Sequence, residues 1–206
     1  MLRELWVASY LEVLEPQTKA FVSGLIKIII WVIPIFLLVK YYEKQPVFSF
    51  LGLQKDFWKG FTWALIIIMV MGLYFYGVHI VVMGKDIHLS LNFHTILNTV
   101  ILAGLLEEIV FRGYILNKWI NGLSKLATDK SESFWSANVY TSVMFVIIHF
   151  PIWIRTDQFL FPSVIGSMAN IFLLSLLFGY LYKKTNSLWT VIIIHAAYNL
   201  FVVMFS

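Results

Sequence analysis

The chain has 206 residues, of which 60% are hydrophobic and 13% charged, and its mean hydropathy is +0.83. Because soluble domains are roughly 45–50% apolar and about 25% charged, this composition excludes a soluble core enzyme and predicts a membrane protein. In a membrane protein, lysine and arginine usually mark cytoplasmic loops and contacts with anionic lipids, so the net charge of +4 has an explanation there and we expect no nucleic-acid partner. The chain has no cysteine, which excludes a thiol nucleophile.

Six apolar segments are long enough to cross the hydrocarbon core, roughly 30 Å thick, as helices. They run from Ala20 to Val39, Gly60 to Met83, Phe93 to Leu116, Trp135 to Trp153, Pro162 to Leu181 and Leu188 to Phe205. Met1 to Gln17 lacks the basic start and apolar run of a signal peptide, and we predict a short interfacial helix there. We therefore predict an all-α polytopic membrane helix bundle that forms one domain over residues 1–206, with its motif-bearing core at about 93–205.

Lysine and arginine are distributed unequally between the two sets of connecting segments. One side holds nine: Lys40, Lys44, Lys55, Lys59, Lys118, Lys125, Lys130, Lys183 and Lys184. The other side holds four: Arg3, Lys19, Lys85 and Arg155. Positive charge favours the cytoplasmic side, so we predict that the first side is cytoplasmic and that both termini lie outside.

Lys27 is a charged residue within the first predicted span. We expect it to snorkel or to pack against a polar neighbour rather than to take part in catalysis.

The third predicted span contains two adjacent carboxylates, Glu107 and Glu108, followed by Arg112. An unpaired charge inside the bilayer costs several kcal/mol, so these residues need compensating partners or a function. Glu108 and Arg112 are four residues apart and share a helix face, which predicts an ion pair. Glu107 is then the freer carboxylate and a candidate general base. The alternative is a structural ion-pair cluster that locks helices together.

Two later spans contain histidines in spaced motifs. His149 follows Phe145 by four residues, and His195 precedes Asn199 by four. Residues at this spacing lie on one face of a helix. An imidazole and a carboxamide one turn apart can direct donors at a common atom, as the stabilisation of an oxyanion requires.

Neither spacing is diagnostic, because both recur elsewhere in the chain. Phe75 and His79 repeat the first, and His94 and Asn98 repeat the second. We predict packing or interfacial roles for His79 and His94, and no special role for His88 in a polar loop. The order of the motifs and their placement in separate spans carry the assignment.

The ordered set of Glu-Glu-x-x-x-Arg-Gly at 107–113, Phe-x-x-x-His at 145–149 and His-x-x-x-Asn at 195–199 resembles the CPBP family of intramembrane proteases. That family includes CAAX endopeptidases and bacterial Abi proteins tied to bacteriocin processing and immunity. The resemblance covers about Phe93 to Asn199, and its most specific part is the string that ends at Gly113.

The resemblance implies that Glu107 activates water and that His149 helps to hold and deprotonate it. His195 and Asn199 would form the oxyanion hole. Three further residues, Glu108, Arg112 and Phe145, would orient these groups. Straight-helix counting places Glu107 nearer the cytoplasmic side and His149 nearer the outer side, so the two would meet only if the helices tilt or if the fourth span starts later than Trp135. Pro151, just after His149, is compatible with a bent or broken helix end.

The family's mechanism needs no metal, and the chain contains no His-Glu-x-x-His string, so we favour a site without a cofactor. If zinc is bound, we expect Glu107, His149 and His195 to be its ligands.

The leading hypothesis is an intramembrane endopeptidase that cleaves a hydrophobic or lipid-modified peptide, such as a CAAX-type tail, a bacteriocin leader or a signalling peptide. The small size is similar to that of prokaryotic members and favours a bacterial plasma membrane. Two alternatives stay open: a non-catalytic immunity factor or chaperone for a peptide exporter, and an ion or metal transporter.

Overall fold

The structure is a computed structural model that describes residues 13–54, 57–87, 91–125, 129–151 and 163–205. These ranges contain helices and no strand. The helices are α1 (Pro16–Glu43), α2 (Val47–Phe50), α3 (Phe57–Val82), α4 (95–123), α5 (Lys130–Ile147), α6 (Ser163–Thr185) and α7 (Leu188–Phe205). The predicted all-α helical membrane bundle is confirmed.

Four of these helices are long and apolar enough to cross a membrane, namely α1, α3, α6 from Val164 onward, and α7. They correspond to the first, second, fifth and sixth predicted spans. The third predicted span corresponds to α4 and the fourth to α5, and their crossing of the bilayer stays a prediction. Most of the predicted interfacial helix, residues 1–12, and the end of the predicted fourth span, residues 152 and 153, lie outside the described residues.

Several helix ends follow from the residues that occupy them. Pro16 begins α1, where its missing N–H costs no hydrogen bond. Asp129 caps α5, since its carboxylate accepts a hydrogen bond of 2.8 Å from the backbone N–H of Ser131. Lys44 and Asn186 adopt left-handed backbone conformations, with φ of 53° and 55°, where α1 and α6 end.

Helix α4 is irregular along its length. Thr95–Ile101 and Ile109–Leu116 are π-helical, whereas Leu102–Glu108 and Asn117–Leu123 are α-helical. Single-turn π-helical insertions are frequent at functional sites, although Leu38–Glu43 of α1 and Tyr76–Val82 of α3 are π-helical as well. Both candidate glutamates therefore lie in the α-helical turn between two π-helical segments.

Small residues bring α4 close to its neighbours. A Cβ atom at Gly104 would lie 2.9 Å from the backbone nitrogen of Ala196, and one at Gly113 would lie 3.1 Å from Leu51 Cδ2. Small residues at helix contacts let backbones approach and gain dispersion energy in a bilayer, where there is no hydrophobic driving force between helices. Gly104 thereby places the glutamate-bearing turn of α4 directly against α7.

The lysine-rich end of the bundle contains an ion pair between α4 and α1. Lys118 Nζ lies 2.5 Å from Glu43 Oε1. This hydrogen bond raises the pKa of Lys118. The contact ties the last turns of the two helices together.

Candidate active site

The centre of the site is a buried carboxylate that contacts both a guanidinium and an imidazole. Glu108 Oε1 lies 2.8 Å from Arg112 Nη1 and 2.7 Å from His195 Nδ1. The side chains of Glu108 and Arg112 are fully buried, and the predicted ion pair between them is confirmed. A carboxylate only accepts hydrogen bonds, so His195 Nδ1 carries the proton and donates it to Glu108. The arrangement fixes the tautomer of His195.

Arg112 is held on its other side by α6. Its Nη2 atom donates to the hydroxyl of Ser175 at 2.7 Å and to the backbone carbonyl of the same residue at 3.0 Å. The guanidinium also lies over the rings of Phe145 and Phe178, 4.7 and 5.5 Å from their centroids. These contacts combine a charge-assisted hydrogen bond with cation–π attraction, and they determine where the Arg112–Glu108 pair sits.

Glu107 differs from its neighbour in exposure. Its side chain retains 20% of its accessible surface, and its Oε2 atom lies 3.8 Å from His195 Nε2. The two nitrogens of His195 therefore face two different carboxylates. Because Glu107 is the accessible one, it is the carboxylate that a water molecule or a substrate can reach.

Phe145 connects the two histidines. Its ring centroid lies 5.0 Å from that of His149 and 6.0 Å from that of His195, and it packs edge-on against Phe111 at 4.9 Å. His149 lies in the turn just after α5, and its Nδ1 atom is 2.7 Å from the backbone carbonyl of Phe145. The turn keeps the ring of His149 against Phe145, and its approach to Glu107 stays a prediction.

Asn199 lies one helical turn beyond His195 on α7. Its Nδ2 atom donates to the backbone carbonyl of Thr99, in the first π-helical segment of α4, at 3.0 Å. One cluster of contacts thus contains Glu107, Glu108, Arg112, Phe145 and His195. His149 contacts this cluster through Phe145, and Asn199 lies at the adjoining turn of α7.

Three residues that contact this cluster were not singled out from the sequence: Ser175, Phe178 and Thr99. Ser175 and Phe178 are three residues apart on one face of α6, and a serine inside an apolar helix was the available signal. Thr99 contributes only its backbone carbonyl, which no side-chain pattern reveals.

His79 of α3, which repeats the spacing of Phe145 and His149, packs against aromatic rings. The ring of His79 stacks on Phe75 with centroids 5.5 Å apart and contacts Phe205 at 5.6 Å. The predicted packing role of His79 is confirmed, whereas His88 lies outside the described residues.

The cluster contains carboxylates and imidazoles, which are common metal ligands. Across the part of the chain that the structure describes, no three histidine, aspartate or glutamate side chains converge as a metal site would require. The zinc alternative of Glu107, His149 and His195 therefore gains no support from the described geometry.

The membrane-length helices define the class of the protein, an integral membrane protein with a buried polar cluster between its helices. The model of the type II CAAX prenyl endopeptidase Rce1-like family matches residues 89–201, more than half of the chain, and the chain belongs to that family. The resemblance drawn from the three motifs is thereby confirmed. No curated protein and no solved structure matches the chain.

Proposed function

We propose that the protein is an intramembrane endopeptidase in which Glu107 activates a water molecule that attacks a peptide bond. The observation that carries this proposal is the different placement of the two glutamates. Glu108 is fully buried against Arg112, whereas Glu107 is accessible and faces the imidazole of His195. A general base must reach the water from which it takes a proton, and only Glu107 satisfies that requirement.

His149 is suited to accept a hydrogen bond from the same water and so to help Glu107 deprotonate it. The carbonyl of Phe145 can only accept a hydrogen bond, so the contact at 2.7 Å assigns the proton to His149 Nδ1. In the neutral ring, Nε2 then carries a lone pair. That lone pair would hold the attacking water beside Glu107.

Asn199 is suited to donate to the oxyanion. Its Nδ2 atom carries two hydrogens, and the Thr99 carbonyl accepts one of them. The second is available to the carbonyl oxygen of a substrate. His195 would be a second donor when it is protonated on both nitrogens, since its Nδ1 proton is already directed at Glu108.

The chemistry is hydrolysis through a tetrahedral intermediate. The water oxygen bonds to the scissile carbon as its proton passes to Glu107, and the negative charge on the former carbonyl oxygen is stabilised by Asn199 and His195. Collapse breaks the C–N bond, and the proton held by Glu107 passes to the departing amine. Glu107 is thereby returned to its starting state.

The substrate we propose is a hydrophobic or lipid-modified peptide that enters from the bilayer. A CAAX-type tail, a bacteriocin leader and a signalling peptide all have this character, and the name of the matched family favours the first. We propose a bacterial plasma membrane as its location.

We propose that the site works without a metal ion. Activity should then survive incubation with a strong chelator, with elemental analysis recording less than one metal per chain. If chelation abolishes cleavage and zinc restores it, the ligand set Glu107, His149 and His195 becomes the explanation.

The proposal is tested with the purified chain reconstituted in lipid vesicles and a fluorogenic peptide that carries a prenylated cysteine followed by three residues. Glu107→Gln should abolish cleavage, because the amide keeps the shape and loses the base. Glu43→Gln is the matched control, since Glu43 pairs with Lys118 outside the site, and it should cleave normally. Undiminished cleavage by Glu107→Gln would overturn the proposal and favour a non-catalytic partner role.

A further inference from the structure

One face of α1 is built to contact α4 closely. Ala20, Gly24 and Lys27 lie at spacings of four and three residues, so they share this face. Lys27 Nζ donates to the backbone carbonyl of Asn98 at 2.9 Å, and Asn98 Nδ2 donates to the carbonyl of Ala20 at 3.0 Å. The predicted packing of Lys27 against a polar neighbour is confirmed.

The contact falls where α4 changes from π-helical to α-helical geometry. The N–H of Leu102 bonds to the carbonyl of Leu97, five residues earlier. When α-helical bonding to the fourth preceding residue resumes, one intervening carbonyl is left without a backbone donor. Side chains from other helices bond to two adjacent carbonyls at this point, Lys27 to that of Asn98 and Asn199 to that of Thr99.

The energetics favour a specific use for Lys27. An ammonium group within a membrane-length helix is costly, and a charge-assisted hydrogen bond to a carbonyl offsets part of that cost. An apolar residue at this position would avoid the cost altogether. It would also leave the Asn98 carbonyl without this donor.

We infer that Lys27 is a positioning residue for the oxyanion donor Asn199. By holding the Asn98 carbonyl, Lys27 fixes the π-helical turn, and the next carbonyl, that of Thr99, then orients the carboxamide of Asn199. The inference rests on the proposed function, because it takes Asn199 to be an oxyanion donor. Lys27 lies outside the matched residues 89–201, so this contact comes from a part of the chain that the family model does not cover.

The test uses Lys27→Met, which keeps the length of the side chain and removes the donor, and Lys27→Arg, which restores a cationic donor. Removing an oxyanion donor outright costs about 100-fold or more in kcat, so Asn199→Ala should show a loss of that size. A variant that only loosens the position of Asn199 should lose less kcat. We expect Lys27→Met to lower kcat about tenfold, equivalent to about 1.4 kcal/mol, with KM unchanged. Lys27→Arg should recover most of the activity.

Two controls distinguish a positioning role of Lys27 from a purely structural one: a packing variant and a second substrate. Gly24→Ala places a methyl group 2.8 Å from Leu102 Cδ1, which disturbs the same helix contact while the chain retains the Lys27 ammonium as a donor. A peptide with sulfur in place of the scissile carbonyl oxygen is a poorer acceptor and reports on the oxyanion donors. Lys27→Met and Asn199→Ala should both lose the preference for oxygen, whereas Gly24→Ala should retain it.

The possible failures are distinguishable. If Glu107→Gln cleaves the peptide like the unaltered chain, or if the unaltered chain does not cleave it, the proposed function fails. If Glu107→Gln is inactive while Lys27→Met keeps full kcat and the oxygen preference, only the inference about Lys27 is overturned. The same holds if Lys27→Met and Gly24→Ala lose the oxygen preference equally.

Discussion

Arg112 is the residue on which the geometry of the site depends most. Its planar guanidinium donates to Glu108 and to Ser175 from different nitrogens, and it lies over the rings of Phe145 and Phe178. An arginine provides several donors in a fixed plane, whereas a lysine provides one compact charge. Breaking a buried pair by removing one partner is expected to cost about 3–5 kcal/mol, because it leaves an uncompensated buried charge.

Replacement of Arg112 by lysine should therefore distinguish the contribution of its charge from that of its planar shape. Arg112→Lys keeps the charge, but its single ammonium cannot reproduce both hydrogen bonds and the stacking on two rings. We expect a lower unfolding temperature in detergent and a loss of cleavage of tenfold or more, by analogy with about 10²-fold effects of misplacing reacting groups. Ser175→Ala, which removes one hydrogen bond at about 1–2 kcal/mol, should cause a smaller loss of stability. A fully stable and active Arg112→Lys variant would contradict this role of the guanidinium.

For the site residues, the sequence predicted the contacts that are local in the chain. The Glu108–Arg112 pair follows from the four-residue spacing, and the relative freedom of Glu107 follows from that pair. The contacts of Ser175 and Thr99 were not predictable, because they join residues 63 and 100 positions apart in the chain and depend on how the helices pack.

Among the helices, α4 departs most from what periodicity predicts. A hydropathy pattern identifies an apolar helix but carries no signal for two π-helical segments within it. The segments are supported by donors from elsewhere, such as Lys27 and Asn199, or from the next turn, as when Asn117 Nδ2 donates to the Gly113 carbonyl at 2.9 Å. The irregularity is thus a tertiary property.

The contact between α4 and α7 depends on Gly104. A methyl group there would meet the backbone of Ala196 at 2.9 Å, and a backbone atom cannot move aside as a flexible side chain can. Gly104→Ala should force the helices apart beside His195, lower the unfolding free energy by about 1–3 kcal/mol and reduce cleavage. Gly122→Ala is the matched control in the same helix, since nothing lies within 4 Å of its added methyl group. Equal behaviour of the two variants would show that close approach at Gly104 is unnecessary.

For the whole molecule, composition was sufficient to predict the architecture. A chain with so few charges can only be stable with most of its surface in lipid, and the helical bundle follows from the need to satisfy backbone hydrogen bonds there. The spans were less well defined. Helix α5 begins at Lys130, five residues before the predicted Trp135, because an Asp129 cap extends it into a polar segment. Its end at Ile147 places His149 in a turn.

The orientation of the bundle stays a prediction and can be measured directly. Because the chain has no cysteine, single Lys85→Cys and Lys125→Cys variants each carry one thiol. We expect a membrane-impermeant maleimide to label Lys85→Cys in intact cells and to label Lys125→Cys only after the membrane is broken, since the lysine-rich side is predicted to be cytoplasmic. The reverse pattern would invert the topology, and labelling of both from outside would show that α4 does not cross the bilayer.

In the proposed mechanism Glu107 activates water and does not itself attack the peptide. A single turnover of the reconstituted chain in water enriched in oxygen-18, followed by mass spectrometry of both product and protein, tests it most directly. Water activation by Glu107 should place one labelled oxygen in the new carboxylate of the product and none in the side chain of Glu107. Label in the Glu107 carboxylate would instead reveal a covalent intermediate at that residue, in which Glu107 itself attacks the peptide.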